Sequence, residues 1–126
     1  MKLLFAIITL LLNSAPGFGQ EAEFFVDKAI HKFPKTYEGV VLEHVFHVEN
    51  HGNIPLIISS YEVACSCTKA ALPKEPIPPG GAYDIKVTFD TKGKYYYQDR
   101  IILLKTNTRS GEEKIRFKVN VIPKNE

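Results

Sequence analysis

Two cysteines separated by a single residue, Cys65 and Cys67, are the side chains of this sequence best suited to chemistry. They are the only cysteines in the chain, so an intramolecular disulfide can join them only to each other. A disulfide across one intervening residue needs a tight bend and is expected to be strained, which makes it easier to reduce. Free cysteines, in contrast, often pack in cores as small apolar groups. Three interpretations therefore stay open: structural thiols, a labile disulfide and a soft-metal site.

The metal interpretation needs ligands beyond the two cysteines. Thiolate and imidazole groups together suit Cu(I) or Zn²⁺. His44, His47 and His51 are candidate ligands by residue type alone, and His44 is the one grouped with Cys65 and Cys67. His44 and His47 are three residues apart, so on a strand they point to opposite faces and cannot share an ion without a bulge. No second cysteine pair or His-x-His pair completes a metal signature. We therefore expect no metal and no cofactor, and we expect His44 to belong to the core.

Three consecutive tyrosines, Tyr95, Tyr96 and Tyr97, form the densest aromatic cluster in the sequence. On a regular strand Tyr95 and Tyr97 share one face and Tyr96 lies on the other. The simpler expectation is that one face packs inward. The alternative is a contact surface, because tyrosine is enriched in protein-binding patches.

Signatures of catalysis are missing from the sequence. The turn at residues 79–81, Pro-Gly-Gly, lacks the lysine and the helix of a phosphate-binding loop. The Cys-x-Cys spacing differs from the Cys-x-x-Cys of thioredoxin-like proteins. The formal net charge of +2 gives no basic footprint for nucleic acid. We predict a protein that is not an enzyme and does not bind nucleic acid.

The elements that must position these residues are short runs of alternating apolar and polar residues, separated by Gly, Pro, Asn and Asp. In residues 55–63 the alternation places Leu56 and Ile58 on one face, with Ile57 and Tyr61 on the other. Prolines between residues 73 and 79 exclude a central strand there. About seven strands in about 100 residues favour an immunoglobulin-like sandwich of two antiparallel sheets, with a small barrel as the alternative. The predicted strands span residues 23–30, 40–49, 55–63, 82–90, 95–106 and 112–121.

The first residues have the layout of a secretory signal. Lys2 precedes the apolar run of residues 3–12, which is about half the length of a membrane span, and small residues Gly17 and Gly19 follow. We predict a signal peptide over residues 1–19 and a mature domain over residues 20–126, with no membrane span after cleavage. The mature protein would be periplasmic or secreted.

Four segments in this order resemble the bacterial DUF1573 family: residues 44–58, 65–68, 76–80 and 87–91. The resemblance covers nearly all of the predicted mature chain, although Ser66 stands where the family usually has Gly. It implies an immunoglobulin-like sandwich similar to sperm-protein, ciliary ASH and pilus-chaperone domains. It also implies an exported protein, often from Bacteroidetes-like bacteria, but no established activity.

Fold and composition together predict a binding or structural module with an unidentified protein partner. Edge strands of such sandwiches can accept a partner strand. The alternative function is a redox-active or copper-binding protein that uses Cys65 and Cys67.

Overall fold

A computed structural model describes residues 19–124 of the chain. The predicted signal sequence, apart from Gly19, lies outside the described residues. In the described part, no helix has the length and apolarity needed to cross a membrane. The strands are β1 (Phe24–Val26), β2 (Ile30–Lys32), β3 (Thr36–Tyr37), β4 (Val41–Asn50), β5 (Ile58–Glu62), β6 (Thr68–Ala71), β7 (Ala82–Asp90), β8 (Tyr96–Thr106) and β9 (Glu112–Ile122).

The strands form two sheets that pack face to face, so the sandwich prediction is confirmed and the barrel alternative is wrong. One sheet has the order β1-β4-β7-β6, and the other has the order β2-β9-β8-β5 with β3 also pairing with β9. Alternate residues of the long strands point between the sheets, and those of β9 are between 0% and 2% exposed. The sequence alternation produces this arrangement because successive side chains of a strand face opposite ways. The β9 residues are Ile115, Phe117, Val119 and Val121.

The start of the described chain differs from the prediction of one strand over residues 23–30. β1 pairs antiparallel with β4 in the first sheet, and β2 then pairs parallel with β9 in the second. The chain thus crosses from the first sheet to the second between β1 and β2. The first of these strands runs opposite to its neighbour, and the second runs in the same direction as its neighbour. The short β3 continues along β9 in the same parallel sense. Alternation alone does not report which sheet a strand joins.

The prediction that Tyr61 lies on the opposite face from Ile58 is wrong, because a β-bulge interrupts the strand. The register of β5 against β8 shifts between Ile58 and Ser60. An extra residue in one strand reverses the alternation beyond it. Tyr61 therefore packs against the core together with Ile58, while Ile57 remains 45% exposed.

The segment after β5 is confirmed as unsuitable for a central strand. β6 pairs only with β7 among the described strands, at the edge of its sheet, and the prolines follow it. Leu56 and Ile77 then exchange backbone hydrogen bonds of 2.8 Å, which returns the chain to the sandwich.

Asn50 fixes the end of the sandwich at which β4 finishes. Its side chain is fully buried and makes four hydrogen bonds to backbone groups. Oδ1 accepts from the amides of Gly52 (2.9 Å) and Glu23 (3.2 Å), and Nδ2 donates to the carbonyls of Ile54 (2.8 Å) and Ile77 (2.9 Å). Gly52 packs so closely on the chain before β1 that an added Cβ would lie 2.1 Å from the Glu21 carbonyl oxygen.

Candidate functional site

Three turns meet at the opposite end of the sandwich, and we call this end the tyrosine end. They are the turns at residues 38–40, 91–95 and 65–67. β9 brings the first two together, because Val121 pairs with Thr36 on one side and with Tyr96 on the other. Six large apolar residues at this end are between 47% and 63% exposed: Tyr37, Val40, Val41, Tyr95, Tyr96 and Tyr97.

A buried threonine holds two of these turns together. Thr91 is 0% exposed, and its Oγ1 donates to the carbonyl of Val40 (2.5 Å) and accepts from the amide of Gly39 (3.0 Å). The Thr91 amide also donates to the Val40 carbonyl at 3.1 Å. The Gly93 amide donates to the Glu38 carboxylate at 2.9 Å. These hydrogen bonds join the turn at residues 38–40 to the turn at residues 91–95. They therefore fix the backbone that carries the exposed apolar residues.

The three consecutive tyrosines all face solvent, so the expectation that one face packs inward is wrong. Their exposed fractions are 50%, 57% and 62% for Tyr95, Tyr96 and Tyr97. Tyr96 has a φ of 65°, a left-handed conformation that interrupts the alternation of the strand. Gln98 Nε2 donates to the Tyr95 carbonyl at 2.8 Å and supports this irregular start of β8. Non-glycine residues in this conformation are uncommon and concentrate at functional sites.

The two cysteines lie in the tight turn that leads into β6. Their Cα atoms are 5.1 Å apart and their sulfurs are joined as a disulfide. The Cys67 amide donates a hydrogen bond to Sγ of Cys65 at 3.1 Å. Backbone bonds hold the turn independently: the Thr68 amide donates to the Cys65 carbonyl (3.1 Å), and the Asp90 amide donates to the Cys67 carbonyl (2.9 Å).

An open cleft of about 430 Å³ lies beside the cysteine turn. Its lining brings together the disulfide, two lysines, one carboxylate and Val41 of the tyrosine end. The sequence did not indicate this assembly, because the lysines lie on β6 and in the turn after β7. The lining residues are Val41, Cys65, Ser66, Cys67, Lys69, Thr88, Asp90 and Lys94.

His44 lies with another histidine rather than with the cysteines. Its ring stacks on that of His31 with centroids 3.5 Å apart, and the rings of Phe33 and Phe46 lie nearly perpendicular to it. Burial lowers the pKa of both histidines. The nearby Lys28 adds to the effect on the pKa of His31, and His31 adds to the effect on the pKa of His44. Within residues 19–124, no group of three or more His, Cys, Asp or Glu side chains is placed to hold a metal ion.

His47 faces the other way, as the strand alternation predicts. Its Nδ1 is 2.7 Å from a carboxylate oxygen of Asp84, and this hydrogen bond raises the pKa of His47. Glu49 lies between His47 and His51, and its hydrogen bond with His51 lowers the pKa of Glu49. These groups are exposed, and they form a solvated charge network on the outer face of the first sheet.

The comparison with sequence families identifies one that covers most of the described chain. The family described as a protein of unknown function, DUF1573, matches residues 24–121. The comparison with curated proteins returns no match.

Solved structures support the same fold at low sequence identity. A Porphyromonas gingivalis W83 protein of unknown function has a TM-score of 0.71 at 16% identity, covering 85% of this chain and 51% of its own. This chain thus spans about half the length of that protein. An ASH/PapD-like domain of human CEP192 has a TM-score of 0.57 at 13% identity, over 86% of this chain and 91% of its own. The YadV chaperone has a TM-score of 0.52 at 15% identity, over 80% and 52% respectively.

Proposed function

This chain belongs to the DUF1573 family, and we propose that it is an exported, non-catalytic module that binds a protein partner through its tyrosine end. An immunoglobulin-like fold in a family of unknown function fits a binding or structural module. The absence of catalysis, the partner, the export and the location of the contact surface are all parts of the proposal.

The observation that carries the proposal is the concentration of exposed apolar groups at the tyrosine end. Four of the six are tyrosines, each at least half exposed. Tyrosine is favoured in binding patches because a large rigid ring contributes contact area at low entropic cost, while its hydroxyl tolerates water. The hydrogen bonds of Thr91 hold the turns of this surface in place before binding, which reduces the entropy lost on association.

Site-specific crosslinking tests the location of the contact. A photoreactive phenylalanine analogue replaces Tyr95 or Tyr97 in cells that produce the protein naturally, and Ile57 or Ile101 serves as the matched position. Ile57 and Ile101 are 45% and 47% exposed, and Ile57 lies beside Asn107 at the far end of the sandwich. We expect a discrete adduct from the tyrosine positions only. Adducts from Ile57 alone, or equal yields from all four positions, would contradict the proposal.

Loss of the adduct in a variant provides the complementary control. Replacing Tyr37 and Tyr97 by serine, with the crosslinker at position 95, is expected to reduce the yield at least tenfold. Serine retains a hydroxyl but removes the ring that supplies contact area. An unchanged yield would show that these rings take no part in binding.

Export is supported by the charged start, the short apolar run and the small residues Gly17 and Gly19. We expect the protein recovered from cells to begin at Gln20 or Glu21. Intact-mass measurement tests this directly, and a mass that retains residues 1–12 would contradict it.

A further inference from the structure

We propose that the Cys65–Cys67 disulfide exchanges with a dithiol of a partner molecule, that attack occurs at Sγ of Cys67, and that Cys65 leaves as the thiolate. This inference goes beyond the binding function and does not depend on which surface the partner contacts. It rests on differences between the surroundings of the two sulfurs.

The first difference is a hydrogen bond to Cys65. The Cys67 amide points at Sγ of Cys65 with a separation of 3.1 Å. Negative charge on sulfur strengthens such a bond, so this donor favours the thiolate of Cys65. The donor belongs to the backbone of the same turn and therefore stays close to Cys65 after the bond is broken.

The second difference is the packing of Cys67. Its side chain packs against the hydrophobic core cluster of the sandwich. Apolar surroundings disfavour a thiolate, because a desolvated charge is costly. Cys67 is thus the less favourable leaving group, and this half-buried residue also lines the open cleft from which a thiolate would approach.

The charges in the cleft favour the exchange itself, because both cysteines line the cleft. Lys69 and Lys94 contribute two positive charges, and Asp90 contributes one negative charge. The Asp90 carboxylate also accepts a hydrogen bond from the Lys92 amide at 3.0 Å, which directs part of its charge to the turn. A net positive cleft attracts an incoming thiolate and stabilises the thiolate that leaves.

The exchange balances in two steps. A partner thiolate attacks Sγ of Cys67, forming a mixed disulfide as the Cys65–Cys67 bond breaks and Cys65 leaves with the electron pair. The partner's second thiol then loses its proton and attacks the partner sulfur that is bonded to Cys67. This attack forms the partner's disulfide and releases Cys67 as a thiolate. The partner dithiol is oxidised to a disulfide, the cysteine pair is reduced, and the two protons lost by the partner thiols protonate Cys65 and Cys67.

We expect the cysteine turn to keep its shape after the disulfide is reduced. Two backbone hydrogen bonds, from Thr68 to Cys65 and from Asp90 to Cys67, hold it without the sulfurs. A disulfide that closes a loop of one residue also restricts the unfolded chain very little. The protein with serine at both positions should therefore remain folded, with an unchanged far-ultraviolet circular dichroism spectrum.

Trapping with glutathione tests the direction of attack. The oxidised protein is mixed with limiting reduced glutathione, quenched with excess iodoacetamide and mapped by tandem mass spectrometry. We expect glutathione on Cys67 and the alkyl group on Cys65 in at least tenfold excess over the reverse pattern. Equal labelling, or an excess of glutathione on Cys65, would overturn the assignment.

Reduced dithiothreitol supplies the dithiol probe. In native buffer it should reduce the protein at least tenfold faster than it reduces oxidised glutathione. The replacements Lys69→Met and Lys94→Met should each slow this reduction several-fold, whereas Lys92→Met, which removes a neighbouring lysine outside the cleft lining, should not. A bond that reacts only after unfolding in urea, or equal effects of the three replacements, would overturn the proposal.

Discussion

Asn50 and Thr91 are buried polar side chains that stabilise opposite ends of the sandwich. Both are 0% exposed, and both satisfy backbone groups that lie outside regular strand pairing. A turn that leaves the sheet exposes amides and carbonyls that need partners, and a buried side chain supplies them where water cannot reach.

We expect Asn50→Ala to destabilise the protein by about 3 kcal/mol, because the partly buried amides of Glu23 and Gly52 and the carbonyl of Ile54 lose these hydrogen bonds. The matched control is Asn53→Ala in the same turn. Asn53 is exposed and accepts from the Glu21 amide at 2.8 Å, so water can replace its side chain. Urea denaturation of both variants checks the difference. Similar midpoints for the two variants would show that the Asn50 bonds contribute little.

The stacked histidines predict a dependence of stability on pH. Burial lowers the pKa of His31 and His44 below the ordinary value of 6.5, so the unfolded chain takes up protons first as the pH falls. Stability is then lost between pH 6.5 and the lowered pKa values of the folded state. Replacing both histidines by phenylalanine keeps aromatic packing and should reduce the loss seen on going from pH 7.5 to pH 5.

His47 supplies a control of opposite sign. Its raised pKa means that it stabilises the fold below pH 6.5, and this contribution is lost as the pH rises through the folded value. Removing it by His47→Gln should therefore make the acid loss larger. Urea midpoints are measured from pH 7.5 to pH 5 for the wild type, the variant with both stacked histidines replaced, and His47→Gln. The same dependence of the midpoint on pH in all three proteins would contradict these roles of the histidines.

At the scale of elements, the turns depend on contacts that are distant in sequence. The turn before β4 is held by Thr91, which lies 52 positions after Gly39. The conformation of Tyr96 likewise ends the alternation where β8 begins to pair with β9. The surface that we propose for binding is thus a product of paired turns rather than of one strand.

Removing the hydroxyl of Thr91 should loosen this end without altering its exposed surface. Thr91→Val keeps the shape of the side chain but leaves the Gly39 amide without its acceptor, whereas Thr91→Ser retains the bond. We expect faster hydrogen exchange at the Gly39 amide and a loss of about 1–3 kcal/mol for valine, with a smaller effect for serine. Unchanged exchange in the valine variant would show that other contacts suffice to hold the turn.

At the scale of the whole molecule, the sequence predicts those features that depend on the residue pattern of a single strand. The buried residues of β7 and β9 follow from period-two alternation. The prolines of residues 73–79 likewise predict that this segment lies outside the sheet centre, as the structure shows. Three features depended on distant partners and were missed: the parallel pairing of β2, the stack of His31 on His44, and the lysines around the disulfide. Spacing along one strand contains no information about which residues another strand places opposite.

The packing between the two sheets is the property on which the whole fold depends, and Phe46 tests it. Phe46 is 1% exposed in the core, and its ring meets that of His44 edge-on with centroids 4.7 Å apart. Truncating a buried phenylalanine removes apolar contacts and leaves a cavity, which costs about 3–5 kcal/mol. Since a domain has only about 5–15 kcal/mol of stability, Phe46→Ala should lower the melting temperature severely.

Val45→Ala is the matched control for this prediction, because Val45 is the adjacent residue of β4 and points to solvent with 45% exposure. Its truncation removes little buried surface, so we expect a change within about 0.5 kcal/mol. Thermal and urea unfolding of the two variants compare the faces of one strand under identical conditions. A Phe46 variant that melts with the wild type would mean that the two sheets are held together by other residues. A large loss of stability in Val45→Ala would instead show that the outer face of the first sheet also contributes to stability.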